Sequence, residues 1–446
     1  MTEILPPEGT TGPSGSFDAH HPPSRELLDD CVHCGFCLPT CPTYRITGEE
    51  AESPRGRIYL MDLASRGEIP LDEAFGARMD SCLGCLACVS ACPSGVRYES
   101  LIEAVRPQVE RGIPRKAPDR LFRKLVFALF PHPGRLRLAA LGGILYQRLG
   151  LRRLLQALGV IALLPPRLRA LEALLPPVTL RRLFARGTPF TPAAGPTRLR
   201  VGMMPGCAQR VFFGDVNAAT VRVLAAEGCD VHMPQDDQCC GALSLHAGRE
   251  EDGLRRARAT IEMFERYPID VIVANVAGCG STLKQYGDLL AEDPEYAERA
   301  AAFAARVRDV SELLATLIPR ATRHPVPTTV AYHDACHLAN AQGVRSQPRE
   351  VLRGIPGLRI SDVAEAELCC GSAGIYNLVQ PEKAEELGRR KAAQLEAVRP
   401  DVVATANAGC LLQIRRFLDA GIPVVHPVEL VDASIRGVDP LKEGSS

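Results

Sequence analysis

The sequence predicts a multidomain α+β chain: an N-terminal α-helical module built on two cysteine clusters, a basic helical connector, and two repeated α/β domains. Three observations predict it. One cysteine spacing occurs twice near the start, as Cys31-x2-Cys34-x2-Cys37-x3-Cys41-Pro42 and Cys82-x2-Cys85-x2-Cys88-x3-Cys92-Pro93. Residues 115–186 hold 15 Lys and Arg against two acids, Asp119 and Glu172, a local charge of +13 in a chain of formal net charge zero. From about residue 198, a pattern of apolar run, cysteine and helical stretch repeats at offsets of 129 to 131 residues. The boundaries read as 1–24 (flexible arm), 25–112 (cysteine-cluster domain), 113–197 (connector), 198–325 (first repeat) and 326–436 (second repeat).

With 446 residues, 46% of them apolar, the chain has enough length for several packed cores. Its start lacks a basic region followed by an apolar stretch, so no signal peptide is expected. Seventeen cysteines then point to a reducing cytoplasm in which thiols act as ligands. Residues 1–24 are rich in Pro, Gly, Ser and Thr and read as the arm. His20 and His21 within it are expected to face solvent.

The paired C-x2-C-x2-C-x3-C-P motif is the thiolate pattern of bacterial-type 4Fe–4S ferredoxins, in which the fourth cysteine ligates the other cluster. One cluster is therefore assigned to Cys31, Cys34, Cys37 and Cys92, and the other to Cys82, Cys85, Cys88 and Cys41. Zinc sites favour separated C-x2-C pairs and rarely show a third cysteine at this spacing. Between the motifs, Ser53-Pro54-Arg55-Gly56-Arg57-Ile58-Tyr59-Leu60-Met61-Asp62-Leu63-Ala64 reads as a helix, with proline in its first turn. Arg55 and Arg57 are candidates to balance the clusters' negative charge.

In the connector, leucine-rich groups such as Leu121, Phe122, Leu125, Val126 and Leu129, and later Leu151, Leu154, Leu155 and Leu158, alternate with arginine and are broken by proline pairs. No uncharged apolar run approaches the ~20 residues that span a bilayer. Basic amphipathic helices of this kind suit an anionic membrane surface or an acidic partner, or serve as a plain linker. Nucleic acid is not expected, because aromatics are few and no recognition motif is present.

In the repeats, Val201–Cys207 aligns with Val330–Cys336, Cys239-Cys240-Gly241 with Cys369-Cys370-Gly371, and Asp270–Cys279 with Asp401–Cys410. Apolar runs ending at a cysteine read as buried parallel strands, whose sites collect at the carboxyl ends. Cys207, Cys239, Cys240 and Cys279 form one candidate ligand set; Cys336, Cys369, Cys370 and Cys410 form the other. Each glycine after the cysteine pair permits a tight turn. Buried apolar cysteines or a vicinal disulfide are the competing readings. Cys229 falls outside the pattern and is expected in the core. His333, Asp334 and His337 flank Cys336 and are candidates to ligate, tune or move protons, with satisfied structural histidines as the competing reading; the first copy has Met204, Pro205 and Ala208 instead.

Taken together, these motifs resemble the iron–sulfur subunits of glycolate oxidase within the heterodisulfide-reductase-like group. The stretches Cys31–Cys37, Pro42-Thr43-Tyr44, Ser53–Leu60, Tyr332–Leu338 and Cys369–Gly374 carry the likeness, which covers nearly all of residues 25–435. The helix between the cluster motifs is similar to the two-cluster module of succinate-dehydrogenase-type iron–sulfur subunits. The resemblance implies two 4Fe–4S clusters, with an additional iron–sulfur cluster in the cysteine-pair domains left open. It also implies an oxidoreductase complex in which a separate FAD subunit oxidises glycolate to glyoxylate. This chain then passes electrons one at a time towards a membrane acceptor such as quinone, peripheral on the cytoplasmic face, with no catalytic residue of its own. One departure stands out: where heterodisulfide reductases add a fifth cysteine, this chain has Thr282 and Gln413. The alternatives are a thiol/disulfide enzyme of the heterodisulfide reductase kind and an iron–sulfur subunit for D-lactate or glycerol 3-phosphate.

Overall fold

The computed structural model describes residues 15–176, 179–185 and 187–443. It divides into two compact units: residues up to 84 together with 88–115, and residues from 116 onward together with 85–87.

The first unit is helical. Ser53 caps the helix Pro54–Ser65, its Oγ accepting from the Gly56 N–H at 3.0 Å, and Pro54 fills the first turn. Gly56 is required there, since a Cβ would lie 2.0 Å from the Glu50 carbonyl oxygen. The helix buries Ile58, Met61 and Ala64, one face at helical spacing, while Leu60 and Leu63 are half-buried. Helices Glu73–Asp80 and Tyr98–Gly112 complete this core. Leu101, Ile102, Val105 and Val109 on the latter are almost wholly buried, each worth about 2 kcal/mol of burial.

Part of the segment expected as a flexible arm is ordered. In residues 15–24, Phe17 is buried edge-on to Phe75, and the Ser16 N–H donates to the Ala64 carbonyl. The Asp18 carboxylate accepts from Arg111 and Gln108, and Arg111 holds it well below the usual carboxylate range, at about 2. A single aromatic residue supplies the burial that the surrounding composition lacks. His20 and His21 are exposed, as expected. The earlier residues of the arm, 1–14, lie outside the described residues.

The second unit holds both repeats, each built on a parallel sheet. Strands β1 (Phe190–Thr191), β2 (Leu199–Met204), β3 (Cys229–His232), β4 (Val271–Ala274) and β5 (Val307–Asp309) form the first sheet in the order β1-β3-β2-β4-β5. Strands β6 (Thr329–Tyr332), β7 (Arg359–Ser361), β8 (Val402–Ala404) and β9 (Val424–Val425) form the second in the order β7-β6-β8-β9. Without β1 the two orders are the same, which is the expected duplication. β1, at the end of the connector, pairs antiparallel with β3, an addition the repeat pattern does not announce. One continuous core takes Val201, Val231, Val330 and Val402 from both sheets, and Cys229 lies in it fully buried. The helix Pro427–Arg436 from the second repeat packs on Gly214–Ala226 of the first, closed by Arg222–Asp432 at 2.6 Å.

The connector is helical as predicted: Ala117–Leu129, Pro133–Arg148, Leu151–Ala157 and Pro166–Ala173. Its apolar faces are covered only in part. Phe122, Val126 and Phe127 pack on Ile375 and Leu378 of the second repeat, while Leu136, Ala140 and Ile144 pack with Val211 of the first. Several of its arginines are paired within the unit, Arg123 and Arg167 with Asp119 and Arg152 with Glu172. No helix among the described residues is long and apolar enough to cross a membrane.

Candidate metal centres

The two ferredoxin-type motifs share one backbone device. Each reverses its chain at the same two positions through left-handed residues, His33 (φ 53°) and Gly35 (φ 87°) in the first, Gly84 (φ 64°) and Leu86 (φ 59°) in the second. Two non-glycine residues held there mark a loop whose shape is imposed by what it must present. In the first unit, a small cavity is lined by Cys31, Cys34, Cys37, Cys88 and Cys92, with Arg55 and Tyr98 at its walls. The fourth cysteine of the second motif thus lies at the same cavity as the first three of the first, and Cys88 of the second motif lines it as well. Arg55 steadies this loop, donating to the His33 carbonyl at 2.9 Å and to Glu50 at 2.6 Å.

Cys41, Cys82 and Cys88 are buried near one another, and the Cys88 thiol is pushed well up by burial and then by Cys82 and Cys41. Burial also opposes ionisation of Cys82, but the Arg57 and Arg106 guanidiniums outweigh it and hold the thiol down. Arg57 is only 1% exposed, paired with Glu52 at 2.9 Å and bonded to the Arg78 carbonyl. Of the two candidate charge-balancing arginines, Arg57 is the one sunk beside these thiols. Cys85, the remaining expected ligand, sits three residues from both Cys82 and Cys88.

In the second unit, Cys207 and Cys336 follow the ends of strands β2 and β6, and β4 and β8 lead into the helices Ala277–Lys284 and Ala408–Phe417, whose first turns carry Cys279 and Cys410. In the first repeat, Cys239 Sγ lies 3.5 Å from Cys207 Sγ. The hydrogen bond between Cys207 and Cys239 holds Cys239 well below its ordinary value; Cys240 is pushed up by Cys239 and Cys279. The second repeat copies this: Cys336 holds Cys369 down, and Cys370 brings Cys410 down to about 5. Gly241 and Gly371 both adopt φ 85°, and each lies where a Cβ would meet a helix carbonyl within 3 Å, so both cysteine pairs turn the same way. A buried thiol set with readily formed thiolates is the donor chemistry of thiophilic metals and iron–sulfur clusters, and the residues fit such a group. Bound there, it would supply one-electron redox chemistry; Cys207, Cys239, Cys240 and Cys279, and their second-repeat counterparts, would hold it.

What motif reading does not anticipate is that all eight of these cysteines line a single cavity of about 390 Å³. Connector residues Leu129, Leu136, Leu171, Leu174 and Leu175 cover it. The nearly equal repeat offsets carry that signal, since superposed copies place their cysteines at equivalent strand ends. Asp334 is not part of the site; it forms a two-pronged ion pair with Arg349, both contacts at 2.7 Å. His337 lines the cavity beside His246, ring centroids 4.9 Å apart, and His333 lies on the cysteine side. Thr282 and Gln413 are both buried, and Gln413 is committed to Asn377 and the Ala384 carbonyl.

Comparison with known proteins agrees with this geometry. The family described as "4Fe-4S dicluster domain" matches residues 27–96, and "Cysteine-rich domain" matches 201–284 and 330–415. The connector matches "Glycolate oxidase iron-sulfur subunit, linker region" over 118–175. A Bacillus subtilis (strain 168) protein named "Probable glycolate oxidase iron-sulfur subunit" is 39% identical over 91% of this chain and 93% of its own. This chain belongs to the glycolate oxidase iron–sulfur subunit family. The Escherichia coli (strain K12) "Glycolate oxidase iron-sulfur subunit" is 34% identical over 92% of this chain and 94% of its own. "Lactate utilization protein A" of Shouchella clausii is 30% identical over 48% of this chain and 90% of its own. The family match and the gathered thiols agree on iron–sulfur clusters as the cofactors.

Proposed function

We propose that this chain is the electron-transfer subunit of a glycolate dehydrogenase complex. It receives electrons from a flavin-bearing partner that oxidises glycolate to glyoxylate and passes them, one at a time, towards a quinone. The observation that carries the reading is near full-length likeness to two glycolate oxidase iron–sulfur subunits, in a chain whose cysteines gather into ferredoxin-type sets. The ferredoxin-type ligands are taken as Cys31, Cys34, Cys37 and Cys92, and as Cys82, Cys85, Cys88 and Cys41. Cys34 is exposed, and Val32 and Phe36 beside it are each 67% exposed. An exposed cluster edge ringed by apolar side chains suits short-range electron exchange with a docked partner. The cysteine-pair sets are taken to hold a further cluster.

The connector supports a peripheral membrane contact. Leu145, Leu149, Leu154, Leu158 and Leu163 are exposed, and Arg148 and Arg153 beside them are exposed as well. Leucines that insert and arginines that meet anionic headgroups suit an interfacial surface. The test of the electron path is the co-expressed complex carrying Cys34→Ser. Glycolate-dependent quinone reduction is expected to vanish while the flavin partner still reduces an artificial dye. Retention of quinone reduction would defeat the assignment.

A further inference from the structure

We propose that His333 is an imidazole ligand to the centre held by the second cysteine-pair set, so that the two repeats carry chemically different centres. The inference rests on the reading that this set holds an iron–sulfur cluster. His333 is 1% exposed, and a ring nitrogen lies within 4.8 Å of both Cys370 Sγ and Cys410 Sγ, which lie equally close to each other. Among the described residues, neither ring nitrogen makes a hydrogen bond of good geometry to oxygen or nitrogen; the polar group the imidazole engages is the Cys410 thiol. A buried imidazole held for structural reasons spends at least one nitrogen on such a bond, because a buried polar group left unpaired keeps its full desolvation penalty. A metal would satisfy the nitrogen facing the thiols.

The side chain is also held in place from both sides. The His333 backbone N–H donates to the Ala404 carbonyl at 2.9 Å, at the carboxyl end of β6 and β8. Tyr332 before it lies under the Arg349 guanidinium, 4.7 Å from ring centroid to cation, and Asp334 after it binds the same guanidinium. One arginine thus pins both neighbours, leaving His333 directed at the cysteines. In the first repeat the equivalent position is Met204, buried in the strand end. Sequence equivalence therefore conceals a difference in donor set: thiols alone in the first repeat, thiols with imidazole in the second. Imidazole brings no negative charge to the donor set, and imidazole ligation raises the reduction potential of an iron–sulfur centre relative to all-thiolate ligation, as in Rieske-type centres. Two centres facing one cavity would then differ in potential by ligand type, giving electrons a direction.

The test uses the full-length chain, purified anaerobically, with iron and sulfide counted and pulsed EPR recorded after dithionite reduction, in natural and 15N-histidine-labelled protein. The proposal expects roughly 12–16 iron atoms by four-iron arithmetic and a directly bound nitrogen coupling that changes with the label. That coupling disappears in His333→Ala and persists in His337→Ala. His333→Cys retains the iron and lowers the potential of one centre, which also covers the case in which the alanine variant fails to fold. Twelve or more iron atoms with no coupling, or with a coupling unchanged in His333→Ala, overturns the ligand and leaves the cluster reading standing. About eight iron atoms overturns both.

Discussion

Replacing Arg57 with methionine tests how the N-terminal module tolerates charge at its centre. Arg57 and Glu52 have side chains 1% and 4% exposed and meet at 2.9 Å. Breaking a buried ion pair from one side costs about 3–5 kcal/mol, because the abandoned charge stays buried. Here Arg78 also reaches Glu52 at 2.9 Å, so the lower end, about 3 kcal/mol, applies. Arg57 further donates to Thr43 Oγ1 at 3.1 Å, which in turn donates to the Glu52 carbonyl at 2.7 Å, so the loss reaches the Cys41 loop. For a module of this size, 1 kcal/mol moves the midpoint by about 4–8 °C, giving a fall of roughly 12–24 °C in its anaerobic thermal transition. Adding Glu52→Gln removes the orphaned charge and is expected to recover at least about 1 kcal/mol. A fall under about 4 °C, or no recovery in the double variant, would refute the buried-pair reasoning.

Two further predictions concern other parts of the molecule. Burial lowers His426 to about 3 and raises Glu429 to about 7, within one capping box at the helix Pro427–Arg436. His426 contributes stability that is present above 6.5 and lost as pH falls towards 3; Glu429 contributes stability that is present below 4.5 and lost as pH rises through 7. From pH 6.5 to 5 the two nearly cancel. Urea titrations of Glu429→Gln are therefore expected to show about 2 kcal/mol lost over that interval, and those of His426→Asn a gain of similar size; parallel profiles in both would contradict the assignment. For the connector, Leu154→Glu with Leu158→Glu is expected to abolish flotation with anionic liposomes, and wild-type binding to weaken in high salt. Flotation unchanged by either would remove the membrane surface.

Much of the architecture is legible in the residues because it is written in short-range spacing. The ferredoxin motif needs its thiols two and three residues apart, and apolar runs ending in cysteine mark strands of one repeated sheet. What escapes is whatever depends on long-range packing. Phe17 looks like part of a polar arm until Phe75, far along the chain, is placed against it. The connector's arginines read as a free basic surface, yet Asp119 and Glu172 neutralise several of them, while leucines on the opposite faces close a cavity. His333, Asp334 and His337 look equivalent beside Cys336; only packing separates a salt-bridged Asp334 from a His333 directed at thiols.

The central claim is that electrons from glycolate pass through this chain's clusters. The most direct measurement mixes the intact complex, prepared anaerobically without acceptor, with glycolate and freezes samples on the millisecond scale for EPR. Signals of reduced 4Fe–4S clusters are expected to rise at a rate no slower than turnover and to decay when quinone is added. Quinone reduced at the full rate while those clusters stay oxidised throughout would contradict the account.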